Sequence, residues 1–208
     1  MRLLACTLLL LLTLVGCSAE STEISHDRET KSTTIKLTSV DLYKGDGAKF
    51  KPFLGSMSGA FQLEYKGNKP NAHLDIDIWE KGEKVSSAGS IIDLFFHPKD
   101  EGNNKLEIII AVDTISIKDQ DQYKEIKISL LGESGYSFFV TTTTPWDEKY
   151  GPEGLIFGGE ERTFSADKSV HVWGMHATST NSIRVVDLSP ESVSTLEKAI
   201  IFTLRFEE

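Results

Sequence analysis

Residues 73–79, His-Leu-Asp-Ile-Asp-Ile-Trp, decide the fold class. Leu74, Ile76 and Ile78 alternate without a break against His73, Asp75, Asp77 and Trp79. That period of two sends the aliphatic side chains to one face of an extended strand and the polar ones to the other. Lys81-Gly82-Glu83 follows as a turn. The same alternation continues on both sides. Upstream, Ile35 and Leu37, with Ser39 after them, form one row, and Phe61, Leu63 and Tyr65 another. Downstream come Ile92, Leu94 and Phe96, where Ile91 and Phe95 on the reverse side read as a strand covered on both faces. Leu106, Ile108, Ile110 and Val112 make the next row, then Ile126, Ile128 and Leu130, then Tyr136, Phe138 and Val140. Further strands are expected at Val170–Ala177, Ile183–Leu188 and Ala199–Phe206.

Turns at Lys66-Gly67-Asn68, at Glu101-Gly102-Asn103-Asn104 and at Gly132-Glu133-Ser134-Gly135 divide these rows at short spacing. This is the rhythm of an all-β, antiparallel β-sandwich of jelly-roll or immunoglobulin-like type. Helix is expected only at residues 189–198, with Ser189 as N-cap, Pro190 in the first helical position and Glu191 in the first turn. With no internal linker or repeat, residues 33–208 read as a single β-sandwich domain.

The N-terminus differs in kind. Arg2 is followed by the apolar run Leu3–Val15, about 20 Å long as a helix and short of the roughly 30 Å hydrocarbon core of a bilayer. The run ends in Leu14-Val15-Gly16-Cys17, which resembles the lipobox of bacterial lipoproteins. The resemblance covers the N-terminus alone. It implies a signal peptide at residues 1–16 and a diacylglyceryl group on Cys17, holding the protein on a cell membrane and facing outside the cytoplasm. Two or more acyl chains on one cysteine give stable anchoring, where a single chain binds marginally. In a host with two membranes, Ser18 rather than an aspartate after the cysteine points to the outer one. Residues 17–32 then form the lipidated cysteine and a polar tether, which at a random-coil scale places the domain about 20 Å from the bilayer. The other cysteine, Cys6, is lost with the leader, so the mature chain has no disulfide and no thiol chemistry.

Charge narrows the partners. The chain carries 22 basic against 31 acidic residues, a formal net charge of −9. Nucleic acid and direct adsorption to anionic head groups are disfavoured, which leaves the lipid on Cys17 as the membrane attachment.

Motifs for catalysis are weak. Gly55-Ser56-Met57-Ser58-Gly59 superficially resembles a nucleophile elbow, yet its centre is Met57. Asp75 and Asp77, with His73, share one strand face and read as its solvated polar side; Asp119 and Asp121 lack the glycine and terminal glutamate of an EF-hand loop. His171 and His176 stand at an odd spacing, which sends them to opposite faces unless a bulge, for instance at Gly174, intervenes. No metal site and no cofactor are expected.

The unusual segment is 141–161, TTTTPWDEKYGPEGLIFGGEE, with two of the six prolines and four glycines. Trp146 and Tyr150 interleave with Asp147 and Glu148, the arrangement that holds sugars by ring stacking and carboxylate hydrogen bonds; with Trp173, these are the expected ligand-binding residues. The same loop also reads as folded back, with Trp146 and Phe157 plugging one end of the sandwich. The expected function is a non-enzymatic binding or accessory domain of the envelope, contacting a glycan, a small solute or another envelope protein. One alternative is a glycan-processing hydrolase built on Asp147, Glu148 or Glu153. Another is a structural partner in an envelope complex, which an exposed apolar patch would support.

Overall fold

A computed structural model describes residues 34–66, 72–95, 104–116, 122–132, 135–156, 158–159 and 161–206. The chain divides into two units, residues 1–30 and 31–208. The expected signal peptide, Cys17 and the expected tether lie outside the described residues, as do Phe96, Asp119, Asp121 and Phe157.

Among the described residues eleven strands are formed: β1 (Thr34–Val40), β2 (Ser58–Lys66), β3 (Ala72–Glu80), β4 (Glu83–Ile91), β5 (Asn104–Ser116), β6 (Gln122–Gly132), β7 (Gly135–Thr142), β8 (Glu153–Leu155), β9 (Glu161–Ser165), β10 (Val170–Ala177) and β11 (Lys198–Phe206). A 3-10 turn at Gly45–Phe50 runs into the four-residue helix α1 (Lys51–Leu54), and α2 is Pro190–Val193. The strands form two antiparallel sheets, β7-β6-β5-β2-β1-β9 and β4-β3-β11-β10-β8, as the all-β sandwich reading expects.

Their inner faces make the core. Ile35, Leu37, Phe61, Leu63, Tyr65, Ile108, Ile110, Ile126 and Ile128 of the six-stranded sheet meet Leu74, Ile76, Ile78, Met175, Ile200, Phe202 and Leu204 of the other. Each such side chain contributes about 1.5–3 kcal/mol by leaving water. Every described strand pairing and the described core fall within residues 31–208, a compact unit.

Four expectations are corrected. The strand expected around Ile92–Phe96 lies upstream, as β4; Ile92–Phe95 leave the ladder where Asp93 takes φ 53°. β4 has the sequence EKVSSAGSI, and its small polar residues give no period-two signal because it is an edge held by backbone pairing to β3. Residues 183–188 form no strand. With α2 they cross the outer face of β11, where Leu188, Val193 and Leu196 cover Ala199 and Ile201. β11, apolar on both sides, is therefore the strand covered on both faces.

The expected helix over 189–198 shortens to α2. Ser189 caps it by accepting from the Ser192 N–H at 3.2 Å, as expected. Ser194 and Thr195 then turn their hydroxyls back onto the carbonyls of Glu191 and Ser192, and the helix stops. Finally, the row Tyr136, Phe138 and Val140 faces solvent, not the core. The β6–β7 register puts Ser137, Phe139 and Thr141 on the side of Ile126, Ile128 and Leu130, and a one-residue phase difference reverses the faces.

The β3–β4 turn is bound to the segment after α2: the Lys81 and Gly82 N–H groups donate to the Glu197 and Leu196 carbonyls at 2.9 Å. Gly82 has φ +78°, and a Cβ there would stand 1.9 Å from the Ser194 carbonyl oxygen. Gly82→Ala is expected to cost about 1–3 kcal/mol, read as a fall in the urea midpoint at unchanged slope.

Candidate functional site

The loop after β7 is pinned to the start of β6. Thr143 N–H donates to the Lys124 carbonyl at 3.0 Å, its hydroxyl accepts from Lys124 N–H at 3.1 Å, and Trp146 N–H donates to the Gln122 carbonyl at 2.6 Å. These bonds drive the indole inward, and Trp146 is 3% exposed. Around it is a ring of charge. Lys124 Nζ lies 5.3 Å and Lys198 Nζ 5.1 Å from the ring centroid. Lys124, 2% exposed, pairs with Glu153 and donates to Thr114 Oγ1 at 2.6 Å; Lys198, also buried, pairs with Glu80. Tyr150 meets the indole edge-on at 6.4 Å. Desolvated ammonium groups beside an indole are attracted by its quadrupole, and each carboxylate supplies the opposite charge that burial requires.

The five expected ligand-binding residues therefore divide. Trp146 plugs the end of the sandwich and offers no open ring face. Trp173 is on the inner face of β10, edge-on to Phe202 at 5.2 Å and against Gly59, where a Cβ would come within 2.5 Å of its Nε1. Asp147 and Glu148 are exposed and Tyr150 is half-buried. Asp147 pairs with Lys149 at 2.7 Å, and that side chain, followed by the Lys149 backbone N–H, holds its carboxyl below the usual range.

The outer face of β3 is not solvated throughout: Asp77 and His73 are buried. Asp77 takes Lys84 on Oδ1 at 2.6 Å and the Thr203 hydroxyl on Oδ2 at 3.1 Å; with that proton committed, Thr203 accepts from His171 Nδ1 at 3.2 Å. Asp75 accepts from Ser90 and from Arg205 Nε, both at 2.6 Å. Burial works against its charge, but the Arg205 and Ser90 bonds outweigh that and set its carboxyl below the usual range. Burial lowers the His171 pKa, which the Asp77 charge partly offsets. Cross-strand partners thus satisfy Asp75 and Asp77, two of the residues that read as solvated.

The two histidines of β10 share the outer face, because a bulge lies between His171 and Trp173, not at Gly174. They pair with Thr203 and Ala199, four residues apart on β11, a separation of roughly 13 Å that no single ion spans. Among the described residues no group of three His, Cys, Asp or Glu side chains could hold a metal. Ser58 of the Gly55–Gly59 run bonds Tyr43 and the Gly55 carbonyl, and so shapes the turn into β2.

A shallow groove of about 190 Å³ lies where His176, Thr180, Arg184 and Glu197 meet. Glu197 accepts from the Ser179 hydroxyl at 2.6 Å, the Thr178 hydroxyl at 2.5 Å and the Ser179 N–H at 3.1 Å, which hold its carboxyl at about 2. A folded-state pKa below the unfolded 4.5 gives stability that is full above 4.5 and is lost as pH falls through about 2. Amide protection at Ser179 and Thr180, taken relative to the intrinsic exchange rate at each pH, is expected to fall across that window, and Glu197→Gln to remove most of the fall.

β7 carries a row of exposed apolar side chains. Tyr136 is 80%, Phe138 55% and Val140 52% exposed, with Leu131 of β6 beside Tyr136. The other edge strand on that side, β4, touches β7 through the Thr141 hydroxyl, which donates to the Ala88 carbonyl at 2.7 Å. Sequence reasoning found these β7 residues but assigned them to the core; it did not single out Lys124 and Lys198. Scans against protein-family models, curated proteins and solved structures find no match to this chain.

Proposed function

We propose that this protein is a non-enzymatic binding domain, tethered to the outer side of a membrane through lipid on Cys17, whose ligand is an extended segment of another envelope protein added to the edge of β7. The observation that carries the reading is the contrast between two neighbouring edges. β4 is bulged twice and carries Glu83 and Lys84, devices that block edge-to-edge pairing. β7, GYSFFVTT, has no charge, no proline and an unbroken register with β6. Among the described residues no strand pairs with its far edge, whose backbone donors and acceptors another strand would satisfy, and Tyr136, Phe138 and Val140 supply alternate apolar contacts. That Glu153 is engaged by Lys124 and Asp147 by Lys149 weighs against these loop carboxylates as a catalytic acid and base.

Two measurements test it. A photo-crosslinking phenylalanine analogue at Phe138 of the full chain, in native envelopes, is expected to label one protein at an extended apolar segment. Labelling should be lost with Val140→Lys and absent from the same analogue at Val85 on β4. Equal labelling from both edges, or none from β7, overturns the edge reading. Separately, mass spectrometry of the detergent-extracted protein is expected to find Cys17 N-terminal and carrying diacylglycerol, and an unlipidated N-terminus removes the tether.

A further inference from the structure

Residues 44–54, KGDGAKFKPFL, form the 3-10 turn and α1, and neither element buries a residue. Phe53 is 82% and Phe50 51% exposed. Two phenylalanines turned outward in a chain with ample core are unexplained by folding. Their neighbours are also at odds with the rest of the molecule: Lys44, Lys49 and Lys51 against Asp46 alone, on a chain of net charge −9. The lysines lie along the rings, Lys49 Nζ 5.4 Å from the Phe50 centroid and Lys51 Nζ 5.4 Å from that of Tyr43.

The segment is held in shape. Tyr43 donates its hydroxyl to the Gly55 carbonyl at 3.0 Å, Gly55 N–H closes on the Lys51 carbonyl at 3.3 Å, and Gly47 sits where a Cβ would be 2.1 Å from the Leu42 carbonyl oxygen. The aromatic tips are thus presented by a fixed turn.

We propose that this turn is a second membrane contact, binding a lipid surface that bears anionic head groups. Phe50 and Phe53 enter the boundary between head groups and acyl chains, while Lys44, Lys49 and Lys51 meet lipid phosphates. Exposed aromatic rings flanked by lysines are the chemistry of interfacial segments, in which apolar burial and electrostatic attraction add. Charge complementarity selects the occupant: the basic turn is attracted to a surface that repels the acidic remainder, so the domain would lie with this end down. The turn follows the far end of β1 from the tether. Sixteen residues, 18–33, reach at most roughly 53 Å, more than the roughly 23 Å length of β1, so a lipid on Cys17 permits that orientation.

The test omits the N-terminus and so is independent of the lipidation reading. Residues 31–208 are sedimented with phosphatidylcholine vesicles with and without phosphatidylglycerol. Binding is expected only with phosphatidylglycerol and should weaken with salt. The pair Phe50→Ser with Phe53→Ser, and separately Lys49→Glu with Lys51→Glu, should each reduce it about tenfold or more with the melting temperature unchanged. Phe53→Trp should shift its emission to the blue on the same vesicles. Absence of binding to anionic vesicles, or binding that neither pair alters, overturns the proposal. Self-association abolished by the phenylalanine pair, without vesicle binding, would make a second copy the occupant and overturn it equally.

Discussion

Trp146→Ala is expected to lower the unfolding free energy by about 3–5 kcal/mol, a fifth or more of the stability of an ordinary domain. Most of this is packing, since the indole is buried at the end of the core and leaves a cavity when truncated. The ring also faces two ammonium groups, at 5.1 and 5.3 Å, and a desolvated cation–π contact contributes roughly 0.5–2 kcal/mol. Trp146→Phe keeps much of the volume and a weaker quadrupole, and should cost about 1–2 kcal/mol. Urea unfolding followed by circular dichroism, which does not depend on the removed fluorophore, measures both. A loss under about 1 kcal/mol for Trp146→Ala would mean that the ring is not packed between the sheets. Trp146→Ala should leave labelling from Phe138 intact wherever the protein stays folded, which separates the plug from the edge of β7.

The fold was legible wherever an inner row is apolar and a partner strand lies on each side. Leu74-Ile76-Ile78 and Ile126-Ile128-Leu130 announce their strands by alternation. It was illegible in β4, whose partner is the backbone of β3, and in β7, whose apolar residues lie on both faces so that alternation cannot say which face is inside. The charged ring was legible in principle. Lys124 continues the row of Ile126, Lys198 continues that of Ile200, and Glu80 continues that of Ile78, so all three point inward at strand ends. Period two predicts where those side chains point. What it does not predict is that a tryptophan twenty-two residues along the chain closes over the lysine, because that depends on a loop returning to β6.

Glu153→Ala should therefore destabilise more than its position in a three-residue strand implies, by about 3–5 kcal/mol. The carboxylate is the counter-charge of Lys124. Without it, a lysine 2% exposed would keep the Thr114 hydroxyl and the Trp146 ring, neither of which neutralises an ammonium. The second pair provides the contrast. The Glu80 side chain is 43% exposed, so water can replace it at Lys198, and Glu80→Ala should cost about 1 kcal/mol. Replacing both members of the buried pair, Lys124→Met with Glu153→Leu, should be neutral or stabilising by up to about 4 kcal/mol, because two desolvation penalties disappear together. Unfolding of the three variants decides the matter. A Glu153→Ala loss no larger than that of Glu80→Ala would show that Lys124 reaches solvent. A double variant as damaged as the single one would show that the ion pair fixes the loop geometry rather than satisfying a buried charge. Since Lys124 holds Thr143 through its backbone groups, and not through its ammonium, the loop bearing Asp147 and Glu148 should stay pinned to β6 in either outcome.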